Sequence, residues 1–123
     1  RGEDQELAGF TSPIPLGADE SALNLSEYQQ AADRYQVVNI KLDKCGGLTE
    51  ALEIASIATD EGKSLMVGNM TGTSLSMAPA YVIGQFCDFV DIDGPLFLAA
   101  DIDPGLDYLE AGKVSIPTPE IWG

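Results

Sequence analysis

Apolar and polar positions along this chain follow two alternating rhythms. Val37, Val38, Ile40 and Leu42 crowd one short run, the composition of a strand buried on both faces. Leu48, Ala51, Leu52, Ala55 and Ala58 then recur at helical spacing, with Gly62 placed to close the helix in a left-handed residue. Residues 64–68 return to a strand pattern. The run from Ser74 to Ile83 predicts a helix, although it contains Pro79, and residues 86–92 predict a fourth strand. Upstream, residues 13–18 read as a short strand entered through its prolines. Ser26 with Gln29 forms a capping-box pattern that opens a helix reaching Arg34 or Tyr35. Residues 1–12 resemble the remains of a helix, with Glu3, Asp4 and Glu6 ahead of Leu7 and Ala8. From Leu96 to Gly123 the chain is rich in turn residues and has no period.

Strand and helix thus alternate four times, the pattern of parallel strands joined by crossover helices. The expected fold class is α/β, and four such units are half of an eight-stranded (β/α)-barrel. A doubly wound open sheet would announce itself by a glycine-rich phosphate loop, for which Gly46-Gly47 is too little. Residues 1–103 are assigned to the half-barrel and 104–123 to a C-terminal tail. The chain begins at Arg1 with no methionine or signal-like segment, so it reads as a piece of something longer.

Charge narrows the partners. Twenty acidic residues against six basic ones give a net charge of −14, with no histidine. Such a surface repels phosphate backbones and anionic lipid, so neither nucleic acid nor membrane is an expected partner. A solvated acidic surface is the plain reading. No apolar run approaches the ~20 residues of a membrane span. Cys45 and Cys87 lack any metal-ligand or disulfide spacing and point to reduced thiols, hence to a cytoplasmic location.

Lys41 is the anomaly inside the apolar strand. A lysine in such surroundings needs a partner or gives up its proton easily, and in the second case it can serve as a general base. On this stretch alone the plainer reading is an ion pair with Asp43, two residues on and so on the same strand face. Other strand exits are also polar: Asp19 and Glu20, Asn69, then Asp91 and Asp93. The interval is 22 residues from Asp19 to Lys41, 28 to Asn69 and 22 more to Asp91. In a (β/α)-barrel all strand exits converge on one rim, where the active site lies. Asp91 and Asp93 suit a metal ion, a substrate ammonium group or the capping of the turn at Gly94-Pro95.

The stretch from Asn39 through Lys41, Asp43 and Lys44 to Gly46-Gly47, the upstream Ala18-Asp19-Glu20-Ser21 and the downstream Asp91-Ile92-Asp93-Gly94-Pro95 resemble the enolase superfamily. The likeness is greatest to its muconate-lactonizing-like subgroup and, within that, to dipeptide epimerases of the L-Ala-D/L-Glu type. Pro119-Glu120-Ile121-Trp122-Gly123 also looks like that family's C-terminus. The resemblance implies the C-terminal half of an enolase-type (β/α)-barrel, with a tail that packs back toward a capping domain. It implies part of a magnesium-dependent isomerase that inverts the α-carbon of a dipeptide by 1,1-proton transfer through an enediolate.

On matching positions, Lys41 is the implied acid/base, Asp19 a ligand of Mg2+, and Asp91 and Asp93 the groups that bind the dipeptide's α-ammonium. Glu20 would support the metal site, and Met70-Thr71-Gly72-Thr73 stand where many relatives carry a glutamate. The opposing lysine, the other metal carboxylates and the capping domain are not in this chain, which alone is therefore expected to be inactive. Its implied partners are the missing N-terminal half and, once complete, further copies in a homo-oligomer. The alternatives are a cycloisomerase or o-succinylbenzoate synthase of the same superfamily, or a non-catalytic barrel piece that folds only on a partner.

Overall fold

A computed structural model of the chain describes residues 3–123. Its centre is a sheet of four parallel strands, β1 (Gly17–Ala18), β2 (Val37–Lys41), β3 (Ser64–Gly68) and β4 (Phe89–Val90), which neighbour one another in chain order. Between them run α1 (Leu25–Ala31), α2 (Leu42–Cys45), α3 (Leu48–Asp60) and α4 (Ser74–Gly84). The expected alternation of strand and helix is therefore present, with every strand exit on one edge.

Side chains alternate across each strand. Val38 and Ile40 of β2 and Leu65 and Val67 of β3 point into the core with Ala51, Ile54, Ala55 and Ala58 of α3 and Met77, Ala78 and Ile83 of α4. The small alanines let the helices approach the sheet closely. Asn39 and Lys41 take the opposite face. Gly62 closes α3 as expected, with φ of 73° and the Lys63 amide donating to the Ala58 carbonyl at 2.9 Å.

Several boundaries differ from the sequence expectation. The first strand is confined to Gly17–Ala18 and the fourth to Phe89–Val90. The cap of α1 is Asn24, whose side chain accepts from the Glu27 amide at 3.0 Å, and not Ser26. Glu27 in turn accepts from the amide of Leu23, the residue before the cap, at 3.2 Å, so the helix is capped two residues earlier than expected. That helix ends at Ala31, short of Arg34. Leu42 begins α2 instead of extending β2. Pro79 is accommodated inside α4, which continues to Gly84. Of the expected N-terminal helix, Asp4–Leu7 form a 3-10 turn, and Arg1 and Gly2 lie outside the described residues.

The tail has more order than its sequence suggests. It contains an antiparallel ribbon of β5 (Tyr108–Leu109) and β6 (Lys113–Val114), then α5 (Pro119–Trp122). Two anchors fasten it to the sheet. Tyr108 donates its hydroxyl to the Ile92 carbonyl at 2.6 Å, and the buried Ser74 at the start of α4 binds Asp101 and accepts from the Leu106 amide at 2.8 Å.

Candidate active site

The parallel register decides what meets at the strand exits. Lys41 is the last residue of β2, and its ammonium lies 2.9 Å from Oδ1 and 3.1 Å from Oδ2 of Asp19, which follows β1. The Lys41 side chain is 15% exposed and that of Asp19 47%. A second donor reaches the same carboxylate: Asn39, two residues before Lys41 and so on its face, gives an amide hydrogen to Asp19 Oδ1 at 3.2 Å. The Asn39 amide oxygen is buried without a hydrogen-bond partner among the described residues.

The plain reading of a Lys41–Asp43 ion pair is overturned. The chain turns helical at Leu42, so the period of two no longer holds and Asp43 swings toward β3, where it accepts from the Met70 amide at 3.2 Å. Glu20 and Lys44, neighbours of the implied chemical residues, pair with each other. This second bridge ties the exit of β1 to α2.

Asp91 and Asp93 lie beyond the end of β4 rather than within it, and Asp93 has already turned to φ −90° and ψ 7°. Their side chains still meet. Loss of solvation at the rim, then the hydrogen bond and like charge of Asp93, raise the Asp91 carboxyl above the usual aspartate range, with Lys41 pulling more weakly the other way. Asn69, after β3, donates to the Asp91 carbonyl at 2.9 Å and to its Oδ1 at 3.2 Å. Lysine, asparagine and carboxylates from four successive exits therefore share one rim.

A carboxylate oxygen such as that of Asp19 is a hard donor suited to Mg2+. No group of three metal-ligating side chains occurs among the described residues.

The candidates Lys41, Asp19, Asp91 and Asp93 all lie at this rim, beside Asn39, for which the sequence suggested no role, and Asn69, which it marked only as polar. The available signal was positional. Asn39 is a polar residue inside an apolar strand, at i−2 from the lysine. Gly68 was read only as the end of a strand, yet it stands opposite Lys41 in register.

Four parallel βα units that bring a lysine and three carboxylates to their common exit edge define a (β/α)-barrel segment whose rim can carry chemistry. A family profile described as enolase C-terminal domain-like matches residues 3–120. An N-acetyl-D-glutamate racemase from Pseudoalteromonas is 47% identical over 122 residues, 99% of this chain and 38% of that protein. An enolase family member from Agrobacterium tumefaciens with homology to dipeptide epimerases, solved with sodium and L-Ala-L-Glu, superposes with a TM-score of 0.92 at 49% identity, covering 99% of this chain and 37% of that one. A Methylococcus capsulatus dipeptide epimerase solved with Mg and L-Arg-D-Lys gives 0.84 at 34% identity, covering 94% and 35%. The chain belongs to the enolase superfamily, in its dipeptide and amino-acid epimerase subgroup, and its fold is that of the C-terminal part of the enolase-type barrel. It spans 38% of the length of that racemase. No helix among the described residues is long and apolar enough to cross a membrane.

Proposed function

We propose that this chain is the part of a magnesium-dependent dipeptide epimerase that carries one of its two proton-transfer lysines and its ammonium-binding carboxylates. The observation that carries the reading is the placement of Lys41 between Asp19 on one neighbouring side and Asp91 with Asp93 on the other, all at the exits of one parallel sheet.

The roles follow from charge. Asp91 and Asp93 together form an anionic seat for the α-ammonium group of a dipeptide, and Asn69 fixes the direction of one of them. Seated there, the substrate extends its peptide bond and second residue across the rim toward Lys41. Lys41 in its neutral form takes the proton from one face of the second α-carbon, and the electron pair left behind delocalises into the substrate carboxylate. In the reverse direction its ammonium returns the proton. Asp19 is the residue here that would hold Mg2+, which when bound supplies positive charge to the developing carboxylate dianion. Inversion requires a second base on the opposite face. We place that base, the remaining metal ligands and the capping domain in the rest of a longer protein. Residues 104–123 are then the tail that packs back toward that domain.

The similarity to a racemase of an N-acylated amino acid gives a second reading. An N-acetyl substrate has no ammonium and no need of paired carboxylates, so Asp91 and Asp93 favour the dipeptide. The test uses the full-length protein with Mg2+ in deuterated water, offered a panel of L,L-dipeptides and N-acetylglutamate. Deuterium at the α-carbon of the C-terminal residue is expected with dipeptides, and alanine at Asp91 and Asp93 should abolish it. Exchange with N-acetylglutamate alone would favour the racemase, and no exchange with either would overturn both.

A further inference from the structure

We propose that Gly68 is a positioning residue for the proton-transfer lysine, and that its missing side chain is the slot in which Lys41 and Asn39 lie. The inference rests on the reading of Lys41 given above. Gly68 closes β3 directly opposite Lys41 in the parallel register. A Cβ on Gly68 would fall 3.1 Å from Lys41 Cε, 2.7 Å from Asn39 Oδ1 and 2.9 Å from Asn39 Nδ2.

Backbone conformation does not call for glycine here. Gly46, Gly47 and Gly62 have the positive φ that favours it, and Gly68 does not. Glycine weakens a strand through its conformational entropy and its lack of packing, and a strand glycine without a turn or bulge marks a close approach by something else. At Gly68 that approach is made by the two polar side chains of the neighbouring strand.

Each side chain is tied to Asp19 at its tip, so stepping aside disturbs that contact. The Asn39 amide nitrogen is bonded to Asp19 at 3.2 Å, and its amide oxygen is buried. The Lys41 ammonium is held against the same aspartate. A methyl group at residue 68 presses on both at once and moves the ammonium relative to Asp19. The seat formed by Asp91 and Asp93 projects from another strand exit, and the atoms that a Cβ at residue 68 would meet first belong to Asn39 and Lys41 rather than to it. Filling the slot therefore disturbs proton transfer more than substrate binding.

The full-length protein with Mg2+ in deuterated water, given L-Ala-L-Glu and separately L-Ala-D-Glu, tests this. Gly68→Ala is expected to lower kcat for α-deuterium incorporation about 10- to 100-fold, with KM little changed. Since one lysine serves one face, exchange without inversion should fall much further for one epimer than for the other. Gly84→Ala is the control, because a Cβ there would meet Val90 and Val67 only at 3.5–3.6 Å, ordinary van der Waals contact, and would touch neither Lys41 nor Asn39; it should leave exchange unchanged. Near-UV circular dichroism reports whether Gly68→Ala is folded. If it is not, Asn39→Ala/Gly68→Ala is compared with Asn39→Ala, since removing the amide leaves only the lysine contact, and a further loss on one face is expected. Unsubstituted kcat in folded Gly68→Ala, or equal loss for both epimers, overturns the role of Gly68. Absence of exchange in the unsubstituted protein overturns the epimerase reading instead.

Discussion

Asn69 gives one amide nitrogen to two oxygens of Asp91, the main-chain carbonyl at 2.9 Å and Oδ1 at 3.2 Å. The exit of β3 thereby sets the direction of a carboxylate at the exit of β4. Gly94 makes this possible, because a Cβ there would lie 2.6 Å from Asn69 Oδ1 and 3.1 Å from the Gly72 amide nitrogen. Gly94→Ala should therefore turn Asn69 and release Asp91. A hydrogen bond to a charged group contributes about 1.5–3 kcal/mol, so KM for L-Ala-L-Glu in the full-length protein is expected to rise about 10-fold or more, with kcat less affected. An unchanged KM would show that Asn69 does not orient the seat.

Asp91 makes a prediction about pH. Lost solvation and then Asp93 raise its carboxyl in the folded protein, so the folded chain binds this proton more tightly than the unfolded chain does. Its contribution to stability is fully present below the unfolded aspartate value of about 3.9 and is lost as pH rises through the higher folded value. Asp91→Asn removes that loss. Thermal unfolding of the full-length protein without substrate should show a higher Tm for the variant near neutral pH, and a difference that shrinks below about pH 3.9. A lower Tm for the variant at neutral pH would contradict the raised carboxyl.

The two thiols should be inert. Burial raises the Cys45 thiol, and burial followed by the charge of Asp88 pushes Cys87 up to about 11. At pH 8 roughly one Cys87 in a thousand is then thiolate, the form that reacts. Ellman's reagent is expected to label neither cysteine of the native full-length protein within minutes and both after unfolding in urea. Rapid labelling of the native protein at Cys87 would show that the thiol is not shielded as the fold indicates.

What could be read from the sequence was set by range and length. β2, α3 and β3 are long enough for their periods to show, and the core they form was legible from Val38, Ile40, Ala51, Ala55, Ala58, Leu65 and Val67, although the helical period took in the exposed Leu52 and passed over the buried Ile54. β1, β4, β5 and β6 have two residues each, and no alternation can appear in two residues. The cap of α1 was misplaced because Asn24 and Ser26 are both good caps, and only the folded chain shows that the Glu27 amide bonds the Asn24 side chain while the Glu27 carboxylate reaches back to the Leu23 amide. At the rim, the residue types were visible but the partner of Lys41 was not. Strand geometry favoured Asp43, whereas the early start of α2 removed it and the register with β1 supplied Asp19. The fit of Gly68 against Lys41 depends on side-chain volumes across two strands, which no single stretch of sequence records.

Asp101 carries the tail, and its removal should be felt in stability. Its Oδ1 accepts from the Ser74 amide at 2.9 Å and the Ile102 amide at 2.8 Å, and its Oδ2 accepts from the Ser74 hydroxyl. Ser74 is fully buried at the first turn of α4, where amide hydrogens have no partner inside the helix, and the N-cap Thr73 offers no side-chain bond. Asp101→Ala leaves the Ser74 amide and hydroxyl without their acceptor, a loss of about 1–3 kcal/mol measurable as a lower urea midpoint of the full-length protein. Asp101→Asn keeps one acceptor oxygen and should lose less. Burial works against the ionised Asp101, but the hydrogen bonds from Ser74 and Ile102 outweigh it and hold the carboxyl below the usual range. A lowered carboxyl contributes stability that is present above the unfolded value of about 3.9 and is lost as pH falls through the folded value. The gap between Asp101→Ala and the unsubstituted protein should therefore be widest near neutral pH and narrow in acid. A gap independent of pH would assign the loss to packing around Ser74 and not to the charged cap.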